Sequence, residues 1–106
     1  MNDINEFQTK IGIWGSETFP QSSPGTILAH LKDEVAELQS AWDTLRFDDS
    51  EDAEEAADCF LLLLHYAHRR GFSLFDAAVV KAAINEKRKW EPTQNERGYQ
   101  RHVEGE

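Results

Sequence analysis

A chain of 106 residues with 20 acidic and 11 basic side chains carries a net charge of −9. That length supports one small domain, and that acidity argues against a broad electrostatic surface for nucleic acid. Cys59 is the only cysteine, so no intrachain disulfide forms and a reducing compartment is expected.

The first residues, MNDINEFQTKIGIWG, lack a basic segment followed by an apolar stretch, so no signal peptide is expected. The longest apolar run, Cys59 to Leu64, is far short of the ~20 residues that cross a bilayer. No membrane partner is expected, and the location is read as cytoplasmic.

A helical period dominates the chain. Ile4, Phe7, Ile11 and Trp14 fall at spacings of three and four, which predicts a short helix over 3–14. GSETFPQSSPG reads as a loop because of its Gly and Pro breaks. Ser23-Pro24 is a start signal, serine as N-cap and proline in the first turn. The second helix is predicted over 24–46, burying Ile27, Leu28, Leu31, Val35, Leu38, Trp42 and Leu45. His30, Glu34, Glu37 and Ala41 form a stripe along one flank of that face.

Asp49 or Ser50 can cap a third helix over 51–70, with Ala53, Ala56, Ala57, Phe60, Leu64 and Ala67 inward. Leu61, Leu62 and Leu63 make its middle apolar nearly all round, which favours cover by another subunit. Gly71 suits a C-terminal cap. Ser73 restarts a fourth helix that runs to about Lys89, and Pro92 stops it. Trp14, Trp42 and Trp90 are core candidates. The prediction is an all-α bundle, three long helices and a short N-terminal one, in a domain over 1–92. Residues 93–106 read as a polar, loosely ordered tail.

Two carboxylate pairs stand out: Glu34 with Glu37, and Glu55 with Asp58. Residues three apart on a helix point the same way. If the two helices pack side by side, four negative groups converge, and they resist ionisation unless a cation lies between them. An all-oxygen set of this kind favours a hard ion such as Mg²⁺ or Mn²⁺. Glu54 shares a face with Asp58 and is an alternative to Glu55. Lys81, Asn85 and Arg88 recur at i, i+4 and i+7, a stripe of donors suited to phosphate oxygens. Trp14 and Phe19, in or next to the loop, could alternatively stack on a nucleobase, and His30 lies one turn before Glu34. No E-x-x-H, paired-cysteine zinc spacing or Gly-rich phosphate loop occurs.

The series H30-L-x-x-E34-x-x-E37, E55-A-A-D58, R70-G71 and K81-x-x-x-N85-x-x-R88-x-W90 resembles the MazG-like all-α nucleoside triphosphate pyrophosphohydrolases. The W14…T18-F19 segment resembles their dATP/dGTP pyrophosphohydrolase branch, which includes phage proteins; Pro20 departs from the small residue expected there. The resemblance implies an oligomeric MazG-like helical bundle that cleaves (d)NTPs, purine deoxynucleotides above all, between the α- and β-phosphates. It implies Glu34, Glu37, Glu55 and Asp58 as metal ligands and catalytic groups, with Mg²⁺ as cofactor and Mn²⁺ able to replace it. Lys81, Asn85 and Arg88 would bind the phosphate chain, and Trp14 and His30 would touch the substrate. It further implies assembly as a dimer or tetramer, and host cytoplasm for a phage-encoded chain. A non-catalytic helical interaction module is the rival reading; it has no need of the basic stripe.

Overall fold

The structure is a computed structural model that describes residues 3–45 and 50–104. Among the described residues there are four helices, α1 Asp3–Thr18, α2 Pro24–Asp43, α3 Glu51–Arg70 and α4 Leu74–Lys87. Two compact units are distinguished, Met1–Phe75 and Asp76–Glu106. In the first unit α3 packs against both α1 and α2.

The N-terminal helix is longer than its apolar period predicts. It continues through Gly15 to Thr18, and its 16 residues exceed the 14 of α4. Glycine costs about 1 kcal/mol in a helix interior relative to alanine, but here it permits close packing. A Cβ on Gly12 would lie 2.0 Å from His68 Cγ, and one on Gly15 would lie 2.7 Å from His65 Nδ1.

The buried side of α1 is accordingly Gln8, Gly12 and Gly15. Ile4, Phe7 and Trp14, predicted inward, are exposed. Gln8 is a tether: its Nε2 donates to Phe72 O at 2.7 Å, and its Oε1 accepts from Leu74 N at 2.9 Å.

The start of α2 follows the sequence signal. Ser23 Oγ accepts from Thr26 N, and Thr26 Oγ1 accepts from Ser23 N, a reciprocal cap with Pro24 in the first turn. The helix ends at Asp43, short of the predicted 46, where the Thr44 hydroxyl bonds back to Ser40 O at 3.0 Å. Its inward seam is Ile27, Leu31, Glu34, Leu38 and Ala41, all buried or half-buried. That alternation of four and three is the period of helices packed along one another. Leu28, Val35 and Trp42 each lie one position beyond the seam and are exposed. The apolar arc of α2 is wider than the strip that α3 covers.

Helix α3 has the predicted bounds. Glu51, Asp52 and Glu54 occupy its first turn and His68, Arg69 and Arg70 its last, both matched to the helix dipole. Ser50 holds the N-cap position without a side-chain bond, and Asp49 lies outside the described residues. Gly71 adopts φ +79°, which lets Phe72 N–H reach back to Ala67 O at 3.1 Å. Leu64 and Ala67 are buried as predicted, together with Cys59 and His65. Ala53, Ala56, Ala57 and Phe60 are exposed instead. Three alanines and a phenylalanine thus share one exposed face of α3.

In the second unit α4 stops at Lys87, two residues before the predicted end, and none of its residues is buried. The segment after Pro92, through residue 104, carries backbone hydrogen bonds despite its polarity. It folds back so that Glu91 N–H donates to Arg101 O at 2.7 Å and Val103 N–H to Lys89 O at 2.8 Å. Trp90 pairs with His102 across this return, rings edge to face at 6.0 Å. The turn is closed by Asn95, whose Oδ1 accepts from Arg97 N and Tyr99 N, and by Gly98 at φ +90°. Trp14, Trp42 and Trp90 are all exposed, contrary to the core placement predicted for them.

Candidate metal centre and base pocket

Glu34 lies in the inward seam of α2, and Glu37 follows one turn later on the same flank. Glu55 approaches from α3. One carboxylate oxygen from each of the three lies within 4.8 Å of the others. Glu55 is half-buried and its neighbour Glu54 is exposed, so Glu55 is the one that meets the pair from α2.

The cluster is electrostatically unsatisfied. A hydrogen bond shared with Glu37, then burial and the charges of Glu37 and Asp58, push the Glu34 carboxyl above the ordinary range; His30 opposes this. Burial, then the charges of Glu37, Asp58 and Glu51, push Glu55 in the same direction. Glu34 Oε2 and Glu55 Oε2 are buried with no hydrogen-bond partner. A buried carboxylate oxygen without a partner is costly, and two of them side by side fit a cation. The donors are all hard oxygens, the set that suits Mg²⁺ or Mn²⁺.

Asp58 lies one turn after Glu55 and acts electrostatically on both Glu34 and Glu55, but stands outside the tight triple. His30 Nε2 is 3.3 Å from Glu34 Oε1, a contact that orients the carboxylate. Cys59 is buried below, its thiol pushed up by burial and by the charges of Glu34, Asp58 and Glu55. It therefore stays protonated and adds no soft ligand.

A cavity of about 180 Å³ adjoins the cluster. Trp14 and Phe19 form one side, Leu61 and Leu62 another, and His30, Glu34 and Asp58 border it. The two aromatic rings meet edge to face at 5.7 Å. The volume is below that of a typical whole-ligand site and suits a flat ring, which leaves charged parts of a ligand toward the carboxylates.

The sequence motifs singled out Trp14, Phe19 and His30; they did not single out Leu61 and Leu62 as walls or His65 as the ring beneath Gly15. No sequence signal pointed to the last, because Gly15 reads as the start of a loop. Burial holds the His65 imidazole neutral, aided by Arg69 and His68.

The donor stripe belongs to the second unit. Arg88 Nη1 donates to Asn85 Oδ1 at 3.2 Å, and Trp90 Nε1 donates to Asn85 O at 3.1 Å, so these residues brace one another. Lys81, one turn earlier, is exposed.

Residues 7–105 match the family model described as dATP/dGTP pyrophosphohydrolase. The chain belongs to that family.

Two phage relatives are named dATP/dGTP diphosphohydrolase. The one from Salmonella phage PMBT28 is 37% identical over 100 residues, 94% of this chain but 31% of that protein. This chain therefore spans about a third of that relative's length. The one from Cyanophage S-2L is 32% identical over 102 residues, 96% of this chain and 90% of that protein. Among solved structures, the Cyanophage S-2L MazG-like pyrophosphohydrolase, bound to dGDP and three catalytic Mn²⁺ ions per active site, superposes with a TM-score of 0.74. It is 31% identical, and the match covers 97% of this chain and 95% of that one. This dATP/dGTP pyrophosphohydrolase family member thus has the all-α MazG-like fold.

Proposed function

We propose that the protein is a metal-dependent pyrophosphohydrolase that cleaves purine deoxynucleoside triphosphates, dATP and dGTP, between the α- and β-phosphates. The observation that carries this reading is the trio Glu34, Glu37 and Glu55, with two buried unpartnered oxygens, at the edge of a cavity walled by Trp14 and Phe19. Family membership and the dGDP and Mn²⁺ bound to the cyanophage relative support it.

Glu34, Glu37, Glu55 and Asp58 would hold Mg²⁺, with Mn²⁺ able to replace it. Such an ion neutralises phosphate charge and activates water at neutral pH. A carboxylate of the cluster accepts the proton of the attacking water. Water adds at the α-phosphorus, the bridging P–O bond breaks, and a nucleoside monophosphate and pyrophosphate leave. Lys81, Asn85 and Arg88 would bind the phosphate chain and offset charge on the departing pyrophosphate. Trp14, with Phe19, would stack on the base, and His30 would line the same cavity beside Glu34.

The protein assembles with copies of itself, as a dimer or tetramer. Phe60 in the first unit, and Val79, Val80 and Ile84 in the second, are large apolar side chains left exposed, and none of the residues of α4 is buried; exposed apolar surface of this kind supports self-association. No helix among the described residues is long and apolar enough to cross a membrane, and the cytoplasm, of the host for a phage-encoded chain, is the proposed location.

The test is a panel of the eight common NTPs and dNTPs with Mg²⁺, Mn²⁺ or chelator. Monophosphate and pyrophosphate in equal amounts from dATP and dGTP, only with metal, is the expected result. Stepwise release of single phosphates, or no turnover of any nucleotide, would reject it.

A further inference from the structure

We propose that Gly15 and His65 act together as a spacer that fixes the width of the base cavity, which makes them positioning residues for base selection. The inference rests on the reading of that cavity as a base site.

Both aromatic walls hang on the backbone of residue 15. Trp14 precedes it, and Phe19 N–H donates to Gly15 O at 2.8 Å. The facing wall, Leu61 and Leu62, lies on α3 one turn before His65. The separation of the two walls is therefore set where the last turn of α1 rests on α3, and what it rests on is the His65 ring. A Cβ at position 15 would lie 2.7 Å from both Cε1 and Nδ1 of that ring and 2.9 Å from Cγ.

Neither side can yield cheaply. His65 is 4% exposed, so its ring has no route into solvent. The atoms in the way are ring atoms rather than the end of a flexible chain. Any side chain at position 15 must lift the last turn of α1, carrying Trp14 and Phe19 with it.

Burying this imidazole leaves Nε2 without a hydrogen-bond partner, a cost that an aliphatic residue would avoid. A branched aliphatic side chain is thicker than a flat ring and would hold α1 further off. Gly12 repeats the close approach over His68 one turn earlier, but it does not adjoin the aromatic pair. Stacking depends steeply on distance: a gap of about 0.5–1 Å forfeits a quarter to a half of each contact. A two-ring base makes more such contacts than a one-ring base, so widening the cavity erodes purine preference.

The experiment compares the full-length parent, Gly15→Ala and the double variant Gly15→Ala/His65→Ala, with steady-state kinetics on dATP, dGTP, dCTP and dTTP in Mn²⁺. Gly15→Ala is expected to raise KM for both purine substrates about tenfold with kcat within about threefold, and to lower the purine-to-pyrimidine ratio of kcat/KM. The double variant, in which the obstructing ring is gone, is expected to bring KM back to within about threefold of the parent. A folded Gly15→Ala with parental KM and selectivity would overturn the spacer while leaving the proposed function intact. If Gly15→Ala does not fold, the double variant decides: a folded protein with near-parental KM supports the spacer, and failure to fold, or to recover KM, overturns it. A parent that turns over no purine substrate would overturn the proposed function and this inference with it.

Discussion

Glu34 on α2 and Glu55 on α3 each bury one carboxylate oxygen that has no hydrogen-bond partner, and the two residues meet with Glu37 inside 4.8 Å. Two helices are thereby pressed together at a point where their charges repel. Like charges held this close resist ionisation, and either a proton or a bound cation relieves the repulsion.

The first expectation concerns the carboxylates. Glu37→Gln, Glu55→Gln and Asp58→Asn each remove charge from the cluster with little change in shape. Loss of a group that merely orients a metal ligand costs roughly 10–100-fold, so loss of a ligand is expected to cost on the order of 100-fold or more in pyrophosphate release. Glu54→Gln, on the exposed side, is expected to keep parental turnover. Circular dichroism is the check that the helices survive, and parental turnover in Glu37→Gln, Glu55→Gln and Asp58→Asn would contradict the assignment.

The second concerns stability and pH in chelator. Glu34 and Glu55 bind protons more tightly in the folded chain than at the ordinary carboxyl value of 4.5. Their contribution to stability is therefore fully present below about pH 4.5 and is lost as pH rises through the raised folded values. At pH 7 without metal, Glu34→Gln is expected to melt above the parent, with the advantage shrinking as pH falls toward 4.5. Mn²⁺ is expected to raise the parental Tm and to raise that of the variant less. Melting curves across pH, with and without metal, provide the check.

The aromatic wall yields a third. Base–aromatic stacking is worth ~1–3 kcal/mol, so Trp14→Ala is expected to raise KM for dATP and dGTP roughly 5- to 160-fold. Its effect on kcat should be small, because the ring lines the proposed base cavity and is not one of the carboxylate trio. A fall in kcat with KM unchanged would show that the indole serves the chemistry instead.

Self-association supplies the fourth. Val80 is 61% exposed and Phe60 45% exposed. Light scattering of the parent should give a multiple of the 12.1 kDa chain mass, and Val80→Glu or Phe60→Glu should move it toward the single-chain value. A parent that runs at 12.1 kDa across micromolar concentrations would remove self-association from the proposal.

Much of this was legible in the residues alone. Ser23-Pro24, Gly71 and the 51–70 span were readable because caps and left-handed turns are decided by a few neighbours. The carboxylate pairs were readable because three-residue spacing places both members on one helix face in any tertiary context. Which apolar stripe faced inward was not. Ile4, Phe7 and Trp14 and the set Gln8, Gly12 and Gly15 both fall at helical spacing, and the less apolar second set is the buried one. Periodicity measures apolarity, and two backbones approach most closely where side chains are smallest.

Local chemistry thus determined the four helices, the Ser23 and Gly71 caps, the acidic pairs on two of them and the family to which they belong. Only the tertiary structure decided that Glu55 rather than Glu54 turns toward Glu34 and Glu37, and that Trp14 and Phe19 flank the cavity beside them. The reason is one of range. A cap or a spacing depends on residues within one turn, whereas the choice of face depends on the shape of the helix packed against it.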